Sequence, residues 1–185
     1  NLPEVLECGL RERGRALPMF RLHVPAARLE EEPARAYLAE EIRRLRNELE
    51  GVSGREITDH GFRASVALYR RLRQALLELD REAGRGALSF ADYAALVQQS
   101  QRAPAEAALA EAEAELAQTR QRPAGKPDAG VIVSGILTPP APLIRAMEAA
   151  GLTICGNDIA SLYRSLAYTP EDFSGPEAYY QDFYQ

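Results

Sequence analysis

Residues 129–167 read AGVIVSGILTPPAPLIRAMEAAGLTICGNDIASLYRSLA, and this stretch decides the fold. A short apolar run, Gly130 to Val133, ends at Ser134-Gly135 and is followed by a proline-containing turn. A helical segment from Pro142 to Ala150 is broken by Gly151. A second apolar run, Leu152 to Cys155, ends at Gly156-Asn157-Asp158, and a further helical pattern begins. This spacing predicts a βαβα unit on a parallel sheet, an α/β layer of the Rossmann-like or flavodoxin-like kind. Right-handed crossovers open both strand ends on one sheet edge, so Ser134-Gly135 and Asn157-Asp158 are expected to face each other across one crevice.

Outward from this unit the chain turns helical. Pro33 suits a first helical turn, and Leu38, Ile42, Leu45 and Leu49 follow at helical spacing until Gly51 and the Ser53-Gly54 turn. Thr58 reads as an N-cap, with Ile57 placed to staple against Phe62. Phe62, Val66, Tyr69, Leu72, Leu76 and Leu79 form an apolar stripe running to Gly84. Ser89 caps a third helix, with Asp92 as capping-box partner and Leu88 able to staple to Tyr93. Pro104 opens a fourth, Ala- and Glu-rich helix that runs to about residue 122. Before all this lies 1–17, a short helix and a turn, and then PMFRLHVP (18–25), whose alternation reads as a strand carrying His23. The expected organisation is therefore the end of an α/β domain at 1–32, a helical block at 33–122, and the start of a parallel α/β domain at 129–185. Pro123, Gly125 and Pro127 punctuate the junction.

The 185 residues are 46% hydrophobic and 26% charged, the balance of a globular chain rather than a disordered one. A formal net charge of -5 gives no electrostatic reason to expect nucleic acid or an anionic membrane. No apolar run reaches the roughly 18 residues of a membrane helix. The only cysteines, Cys8 and Cys155, are far apart, which points to a reducing, cytoplasmic compartment rather than a disulfide framework. The chain opens on Asn1 without Met and stops on an aromatic run, and so reads as a piece of something longer.

Each candidate site residue has two readings. Ser134 and Gly135 serve either a tight turn or a backbone cradle for a phosphate or carbonyl oxygen. Asp158 reads as the N-cap of the next helix, with Asn157 in the turn; its alternative is a hydrogen bond to a ligand hydroxyl or to the opposite loop. Arg164 is either solvated in the second helical turn or a clamp for phosphate or carboxylate. Cys155 reads as a small packed hydrophobe and Cys8 as the more exposed thiol. The aromatic tail, Phe173 with Tyr179, Tyr180, Phe183 and Tyr184, either packs on the sheet or lines an acyl pocket. There is no Ser/His/Asp set, HExxH, CxxC or Walker motif.

The order of motifs says more. YLAEEIRRLRNELEGVSGREITD (37–59) precedes a helix with Tyr69 and Arg73, then GKPDAGVIVSGI and GLTICGNDIASLYRS. This series resembles the 2-hydroxyacyl-CoA dehydratase and benzoyl-CoA reductase subunit family, including the 2-hydroxyglutaryl-CoA dehydratase D-component, from about Leu17 to the C-terminus. The resemblance implies stacked α/β domains with helical insertions. It also implies a 4Fe-4S cluster in the full-length protein, an acyl-CoA substrate, a second homologous subunit and an ATP-dependent activator that donates an electron. The implied chemistry is radical loss of water from a 2-hydroxyacyl-CoA, or reduction of an aromatic ring. The family's acidic pair is Asn157-Asp158 here, the form nearer the benzoyl-CoA reductase side. Cys8 is the one cluster-ligand position the resemblance offers, at a short spacing before PMFRLHVP, and the chain alone is not expected to hold a cluster or be active. Two alternatives remain: a non-catalytic scaffold relative, and a doubly wound domain binding a nucleotide or acyl-CoA.

Overall fold

The computed structural model describes residues 2–15, 17–26, 30–125 and 129–184. In chain order its elements are α1 (Leu2–Glu12), α2 (Glu32–Ser53), α3 (Asp59–Gly84), α4 (Phe90–Ser100), α5 (Ala105–Thr119), β1 (Ala129–Gly135), α6 (Ala141–Ala149), β2 (Leu152–Ile159), α7 (Tyr163–Leu166) and α8 (Pro176–Phe183). The chain splits into two compact units, Asn1–Asp59 with Pro170–Gln185, and His60–Thr169. Residues 126–128, in the expected junction, lie outside the described residues.

In the first unit α2 carries the core. Pro33 stands in its first turn, where a fixed φ suits the helix and no N–H is missed. The helix runs past Gly51 and stops at Gly54, whose left-handed backbone (φ 66°) lets its N–H reach the Glu50 carbonyl. Ala34, Leu38 and Ile42, four residues apart, are buried on one face, and Leu22 and Tyr180 pack against them. Leu45 of the expected stripe is only half-buried.

Residues 18–25, expected as a strand, form none. Two of their backbone groups are taken by side chains of α2 instead of by a strand partner. The His23 N–H donates to Glu41 Oε2 at 3.1 Å, and the Arg44 guanidinium donates to the Arg21 carbonyl. Within this unit the aromatic tail packs on α2: Tyr180 lies against the α2 cluster and Gln181 Nε2 donates to the Arg35 carbonyl at 2.9 Å. Tyr179 meets Phe173 and Tyr180 edge to face, each at 5.1 Å.

In the second unit α3, α4 and α5 pack with β1, β2, α6 and α7 around one core. Leu72, Leu76 and Leu79 of α3 are buried there with Phe90, Tyr93 and Val97 of α4 and Leu109 and Leu116 of α5. Tyr69, expected to face inward, is 49% exposed, and Phe62 is half-buried. Val66 is buried as expected (7% exposed), and from Leu72 onward the apolar face of α3 lies in one core with α4 and α5. Ser89 is the N-cap of α4, its hydroxyl accepting from the Ala91 N–H at 3.1 Å. Asp92 does not complete a capping box. Glu148, from α6, does that work from outside the helix: its carboxylate accepts from Phe90 N–H at 2.8 Å and from the Ser89 hydroxyl at 3.0 Å.

The sheet has two parallel strands, β1 beside β2, as the βαβα reading requires. Ala129 pairs with Leu152 and Val131 with Ile154, and then the register shifts so that Ile132 pairs with Gly156. Cys155 is the extra residue, a bulge in β2. Two glycines accommodate it. A Cβ on Gly130 would stand 2.7 Å from Cys155 Sγ, and one on Gly84, at the end of α3, 3.0 Å from the Cys155 carbonyl oxygen. Cys155 is consequently exposed, its thiol directed at the Val131 carbonyl at 3.4 Å, where the sequence suggested a packed side chain.

Two consequences can be measured. Leu79 is fully buried, so Leu79→Ala should cost about 2–5 kcal/mol in urea unfolding; a loss below about 1 kcal/mol would contradict its place in the core. In the other unit, the Arg44 guanidinium and then the His23 N–H hold the Glu41 carboxyl down from 4.5 to about 2. A depressed carboxyl stabilises the fold above its unfolded value and loses that contribution as pH falls through the folded one. Glu41→Gln should therefore melt earlier than wild type at neutral pH, with the gap closing between pH 4.5 and about 2. A gap independent of pH would refute the linkage.

Candidate functional site at the sheet end

β2 runs four residues beyond the expected Cys155, so Asn157 and Asp158 stand inside the strand. Ser134 pairs with Asp158 and Gly135 with Ile159 in the parallel register. The two strand ends thus share one edge, and the expected juxtaposition of Ser134 with Asp158 is present. Asp158 is not an N-cap: α7 is a single turn that begins at Tyr163, after Leu162.

The bulge sets which of the pair faces inward. From buried Ile154, the doubled position at 155–156 places Asn157 inside (8% exposed), Asp158 outside and Ile159 inside. The outward Asp158 carboxylate takes Arg164 Nε at 2.7 Å and the Ser134 hydroxyl at 3.4 Å. Arg164 also donates to the Asp158 carbonyl at 2.9 Å and to the Gly135 carbonyl at 3.4 Å. Arg164, expected as a solvated side chain or clamp in a second helical turn, is instead in the only turn of α7 and ties both strand ends together. Both side chains of this pair are at least half accessible, so its charge is compensated while its contribution to stability stays small.

The loops leaving the strands are joined as well. The Ala160 and Ser161 N–H groups donate to the carbonyls of Gly135 and Ile136 at 3.0 and 3.2 Å. The Ser161 hydroxyl accepts from the Thr138 N–H at 3.0 Å and lies 2.9 Å from the Thr138 hydroxyl. Ile136 and Leu137, at the tip between them, are exposed.

Beneath the edge is a buried polar cluster. Asn157 Nδ2 donates to Asp80 Oδ1 at 2.7 Å, and Asn157 Oδ1 accepts from the N–H groups of Ile159 at 3.3 Å and Tyr163 at 3.4 Å. Burial raises the ionisation of Asp80 above 3.8, against the pull of the Asn157 amide and the Tyr93 hydroxyl. The Tyr93 hydroxyl is buried beside this carboxylate, close enough to act on its ionisation although not aligned for a well-formed hydrogen bond, and burial pushes its own ionisation upward. Sequence reasoning missed Asp80, Tyr93, Thr138 and Ser161 as neighbours of the edge. Asp80 left a legible signal, a carboxylate four residues after Leu76 on the buried side of α3.

A cavity of about 420 Å³ opens elsewhere, where β2 begins, between Ser89, Phe90, Glu148 and Thr153. Its carboxylate is committed to the α4 N-terminus. Among the described residues no three His, Cys, Asp or Glu side chains are grouped to hold a metal. Cys8 and Cys155 are both exposed thiols in different units. This donor set does not fit an iron–sulfur cluster, which draws on about four thiolates. No described helix is long and apolar enough to cross a membrane.

The fold is mixed α/β, with a two-stranded parallel sheet whose strand ends share one edge. The chain belongs to the 2-hydroxyglutaryl-CoA dehydratase D-component family, whose model matches residues 8–184. A comparison with curated proteins returned no match.

The Asp80 environment predicts a pH dependence with a definite sign. A carboxyl raised in the fold binds its proton more tightly in the native than in the unfolded state, so stability falls as pH rises from 3.8 through the folded value. The difference in unfolding free energy, wild type minus Asp80→Asn, should decrease across that window and level off above it. A difference that grows with pH would show that Asp80 is not held against ionisation.

Proposed function

We propose that this chain is part of the catalytic component of a 2-hydroxyacyl-CoA dehydratase-type enzyme, and that its sheet end contacts the acyl-CoA. The observation that carries this reading is the alignment of Ser134 and Gly135 beside Asp158 at the carboxyl ends of adjacent parallel strands, in a chain matched by the dehydratase family over 8–184. Ligands of open α/β sheets occupy that position. Ser134, Gly135, Asp158 and Arg164 are the proposed substrate-contacting group; Asn157, expected among them from the sequence, is turned into the core beneath the edge and supports it from below. Because Asp158 compensates Arg164, the edge carries little net charge. It is suited to hydrogen-bond the amides, hydroxyl or thioester carbonyl of the substrate rather than to clamp its phosphates.

The resemblance supports a second homologous subunit, an ATP-dependent activator and a 4Fe-4S cluster supplied by cysteines of the assembled enzyme, with Cys8 as the one contributor proposed from this chain. The Asn157-Asp158 form supports the benzoyl-CoA reductase side as the variant chemistry. A second reading, a scaffold relative without a cluster, is favoured by the misfit of the two cysteines noted above. Anaerobic reconstitution with iron and sulfide separates the two: iron bound stoichiometrically by the assembled subunits supports the catalytic reading, and a colourless assembly supports the scaffold.

The binding proposal is tested by calorimetric titration with acetyl-CoA. Asp158→Ala removes the acceptor of Arg164 and Ser134 and should weaken binding about tenfold, the scale of one charge-assisted hydrogen bond. Arg145→Ala, on α6 and paired with Asp92, should leave it within about twofold, the scale of an exposed ion pair. Equal effects of the two variants would remove the site from the sheet end.

A further inference from the structure

We propose that Asp80 is the positioning residue of the sheet end: from α3 it holds the Asn157 amide, and through that amide it holds α7 and Arg164. The chain of contacts is continuous. Asp80 Oδ1 accepts from Asn157 Nδ2 at 2.7 Å, which commits the amide's nitrogen to α3 and turns its oxygen toward the backbone. That oxygen accepts from Ile159 N–H, the end of β2, and from Tyr163 N–H, the first residue of α7. Arg164 follows directly and grips the Asp158 carboxylate and the Gly135 carbonyl.

A helix of four residues cannot hold itself, because nucleation alone costs more than one turn returns. Its N-terminal Leu162 provides no side-chain cap. The Asn157 oxygen acts in that place from the neighbouring strand, and Asp80 decides which way the amide faces. Without the Asp80 acceptor the amide nitrogen is left buried and unsatisfied, and the amide rotates to find another partner. Leu162 and Leu166 keep the turn in the core, so what is lost is the orientation of Tyr163 and Arg164 rather than the fold.

The consequence for substrate rests on the proposed acyl-CoA reading of the edge; the positioning itself does not. Both are tested in the full chain by residue-resolved amide exchange together with acetyl-CoA titration. Asp80→Ala should speed exchange at Ile159 and Tyr163 about fivefold to tenfold, the scale of one lost hydrogen bond, and leave α5 unchanged at Ala112 and Leu116. Asp80→Asn keeps an acceptor oxygen and should retain wild-type protection. Should Asp80→Ala not fold, an exchange of roles still decides the matter. Asn157→Asp alone sets two carboxylates against each other and should lose protection, and Asp80→Asn with Asn157→Asp should recover it. Unchanged exchange in Asp80→Ala, equal loss in Asp80→Asn, or no recovery in the double variant would overturn the proposal. Altered exchange with unaltered acetyl-CoA affinity would leave the positioning intact and overturn the acyl-CoA reading instead.

Discussion

The arrangement of the sheet end depends on one extra residue in β2. In a regular pleat counted from buried Ile154, Asp158 would point into the core and Asn157 outward. The bulge at Cys155 reverses this. It puts the neutral amide inside, where each of its polar atoms finds a partner, and the carboxylate outside, where water and Arg164 share its charge. Burying an unpaired carboxylate costs far more than burying a hydrogen-bonded amide, so energetics favour this register strongly. The bulge in turn needs room on two sides. Gly130 leaves space for the Cys155 thiol, and Gly84 lets the last turn of α3 come against the Cys155 carbonyl. Three small residues, distant in sequence, therefore fix the direction in which the chemistry faces.

Asp80 is the residue that strains this division, since it brings a carboxylate below the sheet. Its partial burial raises the cost of ionisation, and the Asn157 amide offsets part of that cost. The hydrophobic neighbours of α3 make the contact directional. Leu76 and Leu79 hold the helix against the core, so Asp80 has little freedom to swing away from Asn157. A helix whose main role is packing thus also sets the orientation of a side chain on the strand beside it.

Much of this was legible from residues alone. The parallel pair, its connecting helix and the shared edge of Ser134 and Asp158 follow from apolar runs separated by turns, because that pattern reports burial. The bulge was not legible. Cys155 and Gly156 look like ordinary strand and turn residues, and only the neighbouring Gly130 and Gly84 show why two of them face the same way. The same limit explains residues 18–25, whose alternation resembles a strand while the His23 N–H and the Arg21 carbonyl are taken by Glu41 and Arg44 of α2. It also explains the N-terminus of α4. Asp92 sits at the capping-box position in sequence, but Glu148 reaches the Phe90 N–H and the Ser89 hydroxyl from α6, with no local spacing to announce it. Periodicity reports which face is buried; it does not report which distant side chain satisfies a backbone group.

The family resemblance and the local geometry constrain different parts of the function. The family match concerns the class of enzyme, whereas the edge concerns what a ligand would meet on arrival. Ser134, Asp158 and Arg164 form a set whose opposite charges cancel, with a joined pair of hydroxyls from Thr138 and Ser161 nearby. Phosphate groups are held best by uncompensated cations and helix N-termini, and this edge offers neither: Arg164 is engaged, and α7 is one turn long. Uncharged hydrogen-bonding groups match it better, because they can exchange with the Ser134–Asp158 contact without separating a charge pair. On the proposed reading, the acyl and amide-bearing end of the substrate faces this edge, and its phosphates are bound elsewhere in the assembled enzyme.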